Sequence, residues 1–224
     1  MCRILSILFL ITILPSRGEE IWMFPPASPD GRGLRELFTR PDEWKETYAM
    51  EETAKFIALV RQHYPGARVG DIEAYPFASV PDLIAFIDGV ESRLKKMGMR
   101  GMDFFQIDVD WVHFVMDHPG GWREVRKLEE ACRARKLPFS LLYWAADYGH
   151  LKRHNLADDS TWYLGVMRQA HDYLLVGGRP DIKVVESWVG APSRAVPENA
   201  EWTFSRSVLD FSRKFAERPN PAQP

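Results

Sequence analysis

Four acidic side chains stand inside or directly after short apolar segments of this sequence. They are Glu73, Asp108, Asp110 and Glu186. Two carboxyl groups that face each other can hydrolyse a glycosidic bond, because one protonates the leaving oxygen while the other attacks or activates water. Any single acid could instead form a structural ion pair, but four together favour a functional cluster. We predict Glu73 as the acid/base and Asp108 or Asp110 as the nucleophile or second base.

Aromatic residues lie beside these acids and suggest a flat substrate such as a sugar ring. The predicted substrate-binding residues are Tyr75, Tyr143, Trp144, Glu186 and Trp188. Core packing is the alternative for each ring, since buried aromatics supply much of any core. Trp111 falls on the helix-facing side of its strand by parity, so a structural role is favoured there.

Other catalytic signatures are absent from the sequence. There is no phosphate loop, no GxGxxG, no GxSxG elbow and no HExxH motif. The stretch from Asp108 to His113 contains possible metal ligands, but its spacing matches no strong metal signature. We therefore predict no metal and no other cofactor, with a metal-dependent hydrolase or lyase as an alternative.

Strands and helices alternate along the chain and must position these residues. Alternation and apolar content predict strands over 21–24, 68–75, 102–111, 138–145 and 182–188. Helical spacing predicts helices over 50–63, 80–97, 121–136, 160–176 and 203–217. This order is typical of an α/β fold with a parallel sheet and right-handed crossovers. The prediction is a TIM-barrel-like (β/α) domain, incomplete because a full barrel has eight strands; an open doubly wound sheet is the alternative.

Side-chain alternation within the strands predicts where the acids point. It groups Asp71 with Glu73 in the second predicted strand, and Asp108 with Asp110 in the third. The other face of the third strand is apolar and should meet the helices. We therefore expect Glu73, Asp108 and Asp110 to converge in one pocket at the C-terminal ends of the strands, where such folds place their active sites.

Composition excludes several classes of protein. The 224 residues are 46% hydrophobic with a net charge of −2, as in a single globular domain. Disorder is excluded by 13 Phe, 8 Trp and 7 Tyr. The 29 basic residues are balanced by 31 acidic ones, which argues against a nucleic-acid partner. A poly- or oligosaccharide is the predicted partner, and no oligomeric state is predicted.

The N-terminus has the pattern of a secretory signal peptide over residues 1–18. A basic start is followed by an apolar run over 4–14 and then by small residues. The run is shorter than the roughly 20 residues of a membrane span, so we predict a secreted or periplasmic protein; a membrane anchor or a buried first helix is the alternative. The predicted domain covers 19–217, with a loose tail over 218–224. Cys132 would be alone there and should behave as a small buried residue.

Three segments carry a resemblance to a known family. They are Val69-Gly-Asp-Ile-Glu-Ala-Tyr-Pro76, Phe104-Phe-Gln-Ile-Asp-Val-Asp-Trp111 and Val184-Val-Glu-Ser-Trp188. They resemble the later strands of a bacterial family of secreted, glycoside-hydrolase-like TIM barrels, and the segment 21–30 resembles its first strand. The resemblance covers most of the predicted mature chain and implies a barrel that acts on a glycan.

The chain departs from that family pattern in one place. The family has further strands between its first strand and the helix that resembles 50–63, and one of them ends in an acidic motif. Here Trp44 is followed almost directly by that helix. The resemblance therefore implies a barrel shortened by about three of eight strands. The first interpretation is a glycoside hydrolase; the alternative is a non-catalytic carbohydrate-binding remnant of one.

Overall fold

Helices alternate with strands throughout the part of the chain that the computed structural model describes, residues 46–110, 114, 121–145, 158–187 and 189–215. The helices are α1 (Glu46–His63), α2 (Val80–Lys96), α3 (Gly121–Ala134), α4 (Asp159–Leu175) and α5 (Phe204–Phe215). The strands are β1 (Asp71–Tyr75), β2 (Phe105–Val109), β3 (Phe139–Tyr143) and β4 (Ile182–Val185). The predicted α/β alternation is confirmed. The predictions for the signal peptide, the first strand and the tail lie outside the described residues.

The strands form a four-stranded, all-parallel sheet in the order β1-β2-β3-β4. Crossovers between parallel strands are almost always right-handed. When the strands also follow one another in chain order, this handedness places every connecting helix on the same face of the sheet. Contacts between consecutive helices, from α1 to α5, agree with one helical layer. A doubly wound sheet requires a reversal in strand order, and the described strands show none.

The helices form because their apolar residues recur at helical spacing. In α2 the Ser79 hydroxyl caps the first turn by accepting a hydrogen bond from the Asp82 N–H at 3.3 Å. The buried residues of this helix are Val80, Leu83, Phe86, Ile87, Val90 and Leu94. Each such side chain contributes about 1.5–3 kcal/mol when fully buried. In the described part of the chain, no helix has the length and apolar character needed to cross a bilayer.

The face of the sheet that meets the helices is the apolar face of the central strands. Phe105, Ile107 and Val109 are fully buried and belong to the same core cluster as the helix residues. Gln106 and Asp108 alternate with them and therefore point to the opposite face. The prediction for β2 is thus confirmed, and its acidic face looks away from the helices.

A buried glutamate joins α3 to α4 and shows what a purely structural acid looks like in this fold. The carboxylate of Glu129 accepts hydrogen bonds from Arg126, Arg133 and the Tyr173 hydroxyl at 2.5–2.8 Å. The backbone N–H of Arg179 adds a further bond at 2.9 Å. Both carboxylate oxygens of Glu129 are thus occupied by hydrogen bonds from the protein, so this acid has a structural role.

Cys132 lies in the last turn of α3 and is fully buried, as predicted. Burial raises the pKa of its thiol to about 12, which keeps it protonated and unreactive at neutral pH. Its role is therefore packing.

Candidate functional site

The face of the sheet opposite the helices carries two acids beside a tryptophan at its C-terminal edge. The register aligns Asp108 of β2 with Leu142 of β3 and Val184 of β4 in one row. Two residues further along the chain, directly after β3 and β4 end, come Trp144 and Glu186, on the same face by alternation. The C-terminal edge of a parallel sheet is where α/β enzymes bind their ligands.

Backbone hydrogen bonds continue the sheet beyond the ends of the strands and hold these positions. The N–H of Glu186 donates to the carbonyl of Tyr143 at 3.1 Å. In the same way, the N–H of Asp110 donates to the carbonyl of Tyr75 at 2.7 Å. Backbone hydrogen bonds of the sheet therefore hold Asp110 and Glu186 in place, although each residue directly follows the end of its strand.

Trp144 binds Asp108 directly. Its indole Nε1–H donates to the Oδ1 atom of Asp108 at 2.7 Å. Trp144 and Leu142 form a small apolar cluster separate from the main core, with Ile72 and Val184 packed against it. One oxygen of Asp108 is thus engaged by a fixed donor in a largely apolar setting.

The two acids of the site, Asp108 and Glu186, have different pKa values. Burial raises the pKa of Asp108 to about 6. The hydrogen bond from Trp144 lowers this pKa, and repulsion from the charge of Asp110 raises it. Burial, and then the charge of Asp108, raises the pKa of Glu186 to about 7. Glu186 therefore holds its proton at a higher pH than Asp108 does, which is the relation of a general acid to its partner carboxylate.

Glu73 does not join this site. The register of β1 against β2 places Glu73 opposite Ile107 and Ala74 opposite Asp108. Since Ile107 faces the helices, Glu73 points into the helical layer and Asp108 points away from it. The prediction that Glu73 converges with Asp108 and Asp110 is therefore wrong: β1 has its acidic face toward the helices, and β2 has it on the other side.

Glu73 instead forms a buried carboxyl pair with Asp71. Burial, the charge of Asp71 and a hydrogen bond between the two groups raise the pKa of Glu73 well above its ordinary value. Burial raises the pKa of Asp71 to about 7, while the bond to Glu73 lowers it. The remaining oxygens, Asp71 Oδ2 and Glu73 Oε2, have no hydrogen-bond partner among the described residues. At neutral pH the pair consequently retains a proton.

Three of the predicted sugar-binding rings are buried and cannot stack against a sugar. Tyr75 and Tyr143 belong to the helix-side core, where their rings lie 6.0 Å from Phe114 and 5.0 Å from Phe211. Trp144 is only 6% exposed. These predictions are wrong because the tyrosines point to the other face and the indole is enclosed. Trp111 and Trp188 lie outside the described residues.

Sequence reasoning missed Gln169 of α4, which supports the site from the helical side. It is fully buried, and its amide nitrogen donates to the backbone carbonyl of Trp144. A signal was present in the sequence: Trp162, Val166 and Tyr173 place Gln169 on the buried stripe of the helix at spacings of four, three and four. A polar residue on such a stripe needs a hydrogen-bond partner.

Among the described residues, no group of three or more His, Cys, Asp or Glu side chains is placed to hold a metal ion. His113, the last residue of the stretch considered above for metal binding, is not among them. Comparisons with family models, curated proteins and solved structures find no match for the chain.

Proposed function

We propose that this protein is a secreted glycoside hydrolase in which Glu186 is the general acid and Asp108 the partner carboxylate. The observation that carries the proposal is the placement of these two acids on one face, at the C-terminal edge of a parallel sheet, with pKa values raised to different extents. Paired titratable groups with separated pKa values are the arrangement that acid–base chemistry requires.

The reaction assigns each carboxyl group one task. The Glu186 carboxyl donates its proton to the glycosidic oxygen as the bond to the anomeric carbon breaks. Asp108, ionised with help from the Trp144 N–H, either attacks the anomeric carbon or removes a proton from the attacking water. A carboxyl separation of about 5 Å belongs to the first course and about 6.5–9.5 Å to the second.

Three further features belong to the proposal. The sheet would form part of a β/α barrel, which its sequential strand order and single helical layer support. Export is supported by the charged start and apolar run at the N-terminus. Glycans as the substrate class are supported by the resemblance of the β1, β2 and β4 segments to glycoside-hydrolase-like barrels, and Trp188 would supply the sugar-stacking ring.

The proposal is tested by the release of reducing ends from a panel of bacterial polysaccharides. We expect turnover, with kcat/KM highest between about pH 6 and pH 7. Below this range Asp108 gains a proton and is lost as a base; above it Glu186 loses the proton that it must donate. The apparent pKa values on the acidic and basic sides of this pH profile belong to the pair of acids, because interacting groups titrate jointly.

A preparation of Asp108→Asn, purified in parallel, controls for contaminating glycosidases. Turnover that is flat from pH 5 to pH 9 would contradict the assignment of the two acids. Binding to a polysaccharide without release of reducing ends would support the carbohydrate-binding remnant instead. Neither binding nor release across the panel would count against both functions.

A further inference from the structure

Trp144 has the contacts of a residue that orients a catalytic group. Its ring is enclosed among Leu142, Ile72 and Val184, so it offers no free face to a ligand. Its one polar side-chain atom, Nε1, donates a hydrogen bond to Asp108 at 2.7 Å. An indole N–H is a donor only, so this bond favours the charged form of the aspartate and fixes which oxygen is turned toward the tryptophan.

Trp144 is itself held from the helical layer. The side chain of Gln169 reaches from α4 to the carbonyl of Trp144, at the point where β3 has ended. The carbonyl oxygen of Gln169 has no hydrogen-bond partner among the described residues, so the residue is kept in the core at a cost. That cost is understandable if the bond to Trp144 has a function.

The same helix also fixes the segment that follows Glu186. Asp159, in the first turn of α4, accepts hydrogen bonds from both the backbone N–H and the hydroxyl of Ser193 at 2.6 Å. One helix therefore contacts both Trp144, whose side chain binds Asp108, and the chain segment that follows Glu186. Because small misplacements of reacting groups are costly in rate, contacts that hold Trp144 and the segment after Glu186 bear on the geometry of the pair.

We propose that Trp144 is a positioning residue for Asp108 and that Gln169 in turn positions Trp144. The inference rests on the proposed function, since it takes Asp108 as the reacting carboxylate. It replaces the earlier expectation that Trp144 stacks against a sugar.

The test is Trp144→Phe in the full chain, which removes the N–H donor and keeps an aromatic ring. We expect the midpoint for titration of the Asp108 carboxyl carbon, followed by NMR and assigned with Asp108→Asn, to rise by about one pH unit. For an active enzyme, kcat at pH 6 should fall about fivefold as the ionised fraction of Asp108 falls. The KM should stay within about twofold, because no sugar contact is lost.

Trp162→Phe is the matched control. Trp162 is also fully buried, and its Nε1 has no hydrogen-bond partner among the described residues, so the same change should leave the Asp108 titration unmoved. Gln169→Met is a second variant that keeps the volume, and it should move the midpoint in the same direction by a smaller amount.

Each outcome of these measurements decides something. An unchanged Asp108 midpoint in Trp144→Phe would overturn the positioning role, whatever the activity. A rise in KM with kcat preserved would restore the sugar-stacking role. If no substrate is turned over, the proposed function fails, while the NMR midpoint still tests the contact between Trp144 and Asp108.

Discussion

Replacing Glu186 with glutamine should lower the turnover of a natural glycoside by about 10²–10⁴-fold, the usual contribution of general acid catalysis. Glutamine matches glutamate in size but cannot donate the proton that the leaving oxygen requires. Burial and the nearby charge of Asp108 raise the pKa of Glu186 to about 7, so the native side chain holds that proton at neutral pH. The loss should therefore fall on kcat.

The measurement compares two substrates with the same sugar and different leaving groups. Departure of a dinitrophenolate needs no protonation, so Glu186→Gln should retain most of its activity on the aryl glycoside while losing it on the oligosaccharide. The high-pH limb of the profile should disappear with the acid. Glu201→Gln, an exposed glutamate in the segment after β4, is the control and should match the wild type. Equal losses on both substrates would exclude Glu186 as the acid and indicate a nucleophilic or structural role.

The elements of this fold were predictable because each carries a strong local pattern. In β2, Phe105, Ile107 and Val109 alternate with Gln106 and Asp108, and one face is entirely apolar. A strand with this pattern has only one orientation that buries its apolar side chains against helices. The placement of Asp108 on the opposite face followed from that alone.

The orientation of β1 was not predictable in the same way. Alternation correctly groups Asp71 with Glu73, but it does not say which face of the sheet that group occupies. The other group in β1, Ile72 and Ala74, is small and apolar, so the pattern favoured the wrong face. The register with β2 decides the matter, and register depends on long-range pairing. Two carboxyl groups can enter the core because they share a proton, which a residue-by-residue estimate of polarity ignores.

Replacing Glu73 with glutamine should stabilise the protein above neutral pH. In the folded state the pKa of Glu73 is well above its usual value and that of Asp71 is about 7, so both are raised relative to the unfolded chain. The stability contributed by a raised carboxyl pKa is complete below the unfolded value, about pH 4, and is lost as the pH rises through the folded value. Wild-type stability should therefore decline from pH 5 to pH 8. The raised pKa values of Asp108 and Glu186 also make the free energy of unfolding fall as the pH rises.

Glutamine at position 73 removes one carboxyl from the pair and can donate an amide N–H to Asp71 in its place. Each pKa unit corresponds to about 1.4 kcal/mol, so we expect the variant to exceed the wild type at pH 8 by about 2 kcal/mol. In a domain of this size that is a rise of about 4–8 °C in Tm. At pH 5 the wild-type pair is protonated and the two proteins should be nearly equal. Urea unfolding at both pH values, followed by tryptophan fluorescence, measures the difference.

Two further variants establish that the effect belongs to the buried pair. Glu198→Gln removes an exposed carboxylate and should change stability by less than about 0.5 kcal/mol at either pH. Asp71→Asn removes the other partner and should also stabilise at pH 8, but the double variant should gain less than the sum, because either change alone ends the repulsion. A Glu73→Gln effect of the same size at pH 5 and pH 8 would show that the pair does not titrate between them. The proton shared by Asp71 and Glu73 would then have no part in the pH dependence of folding.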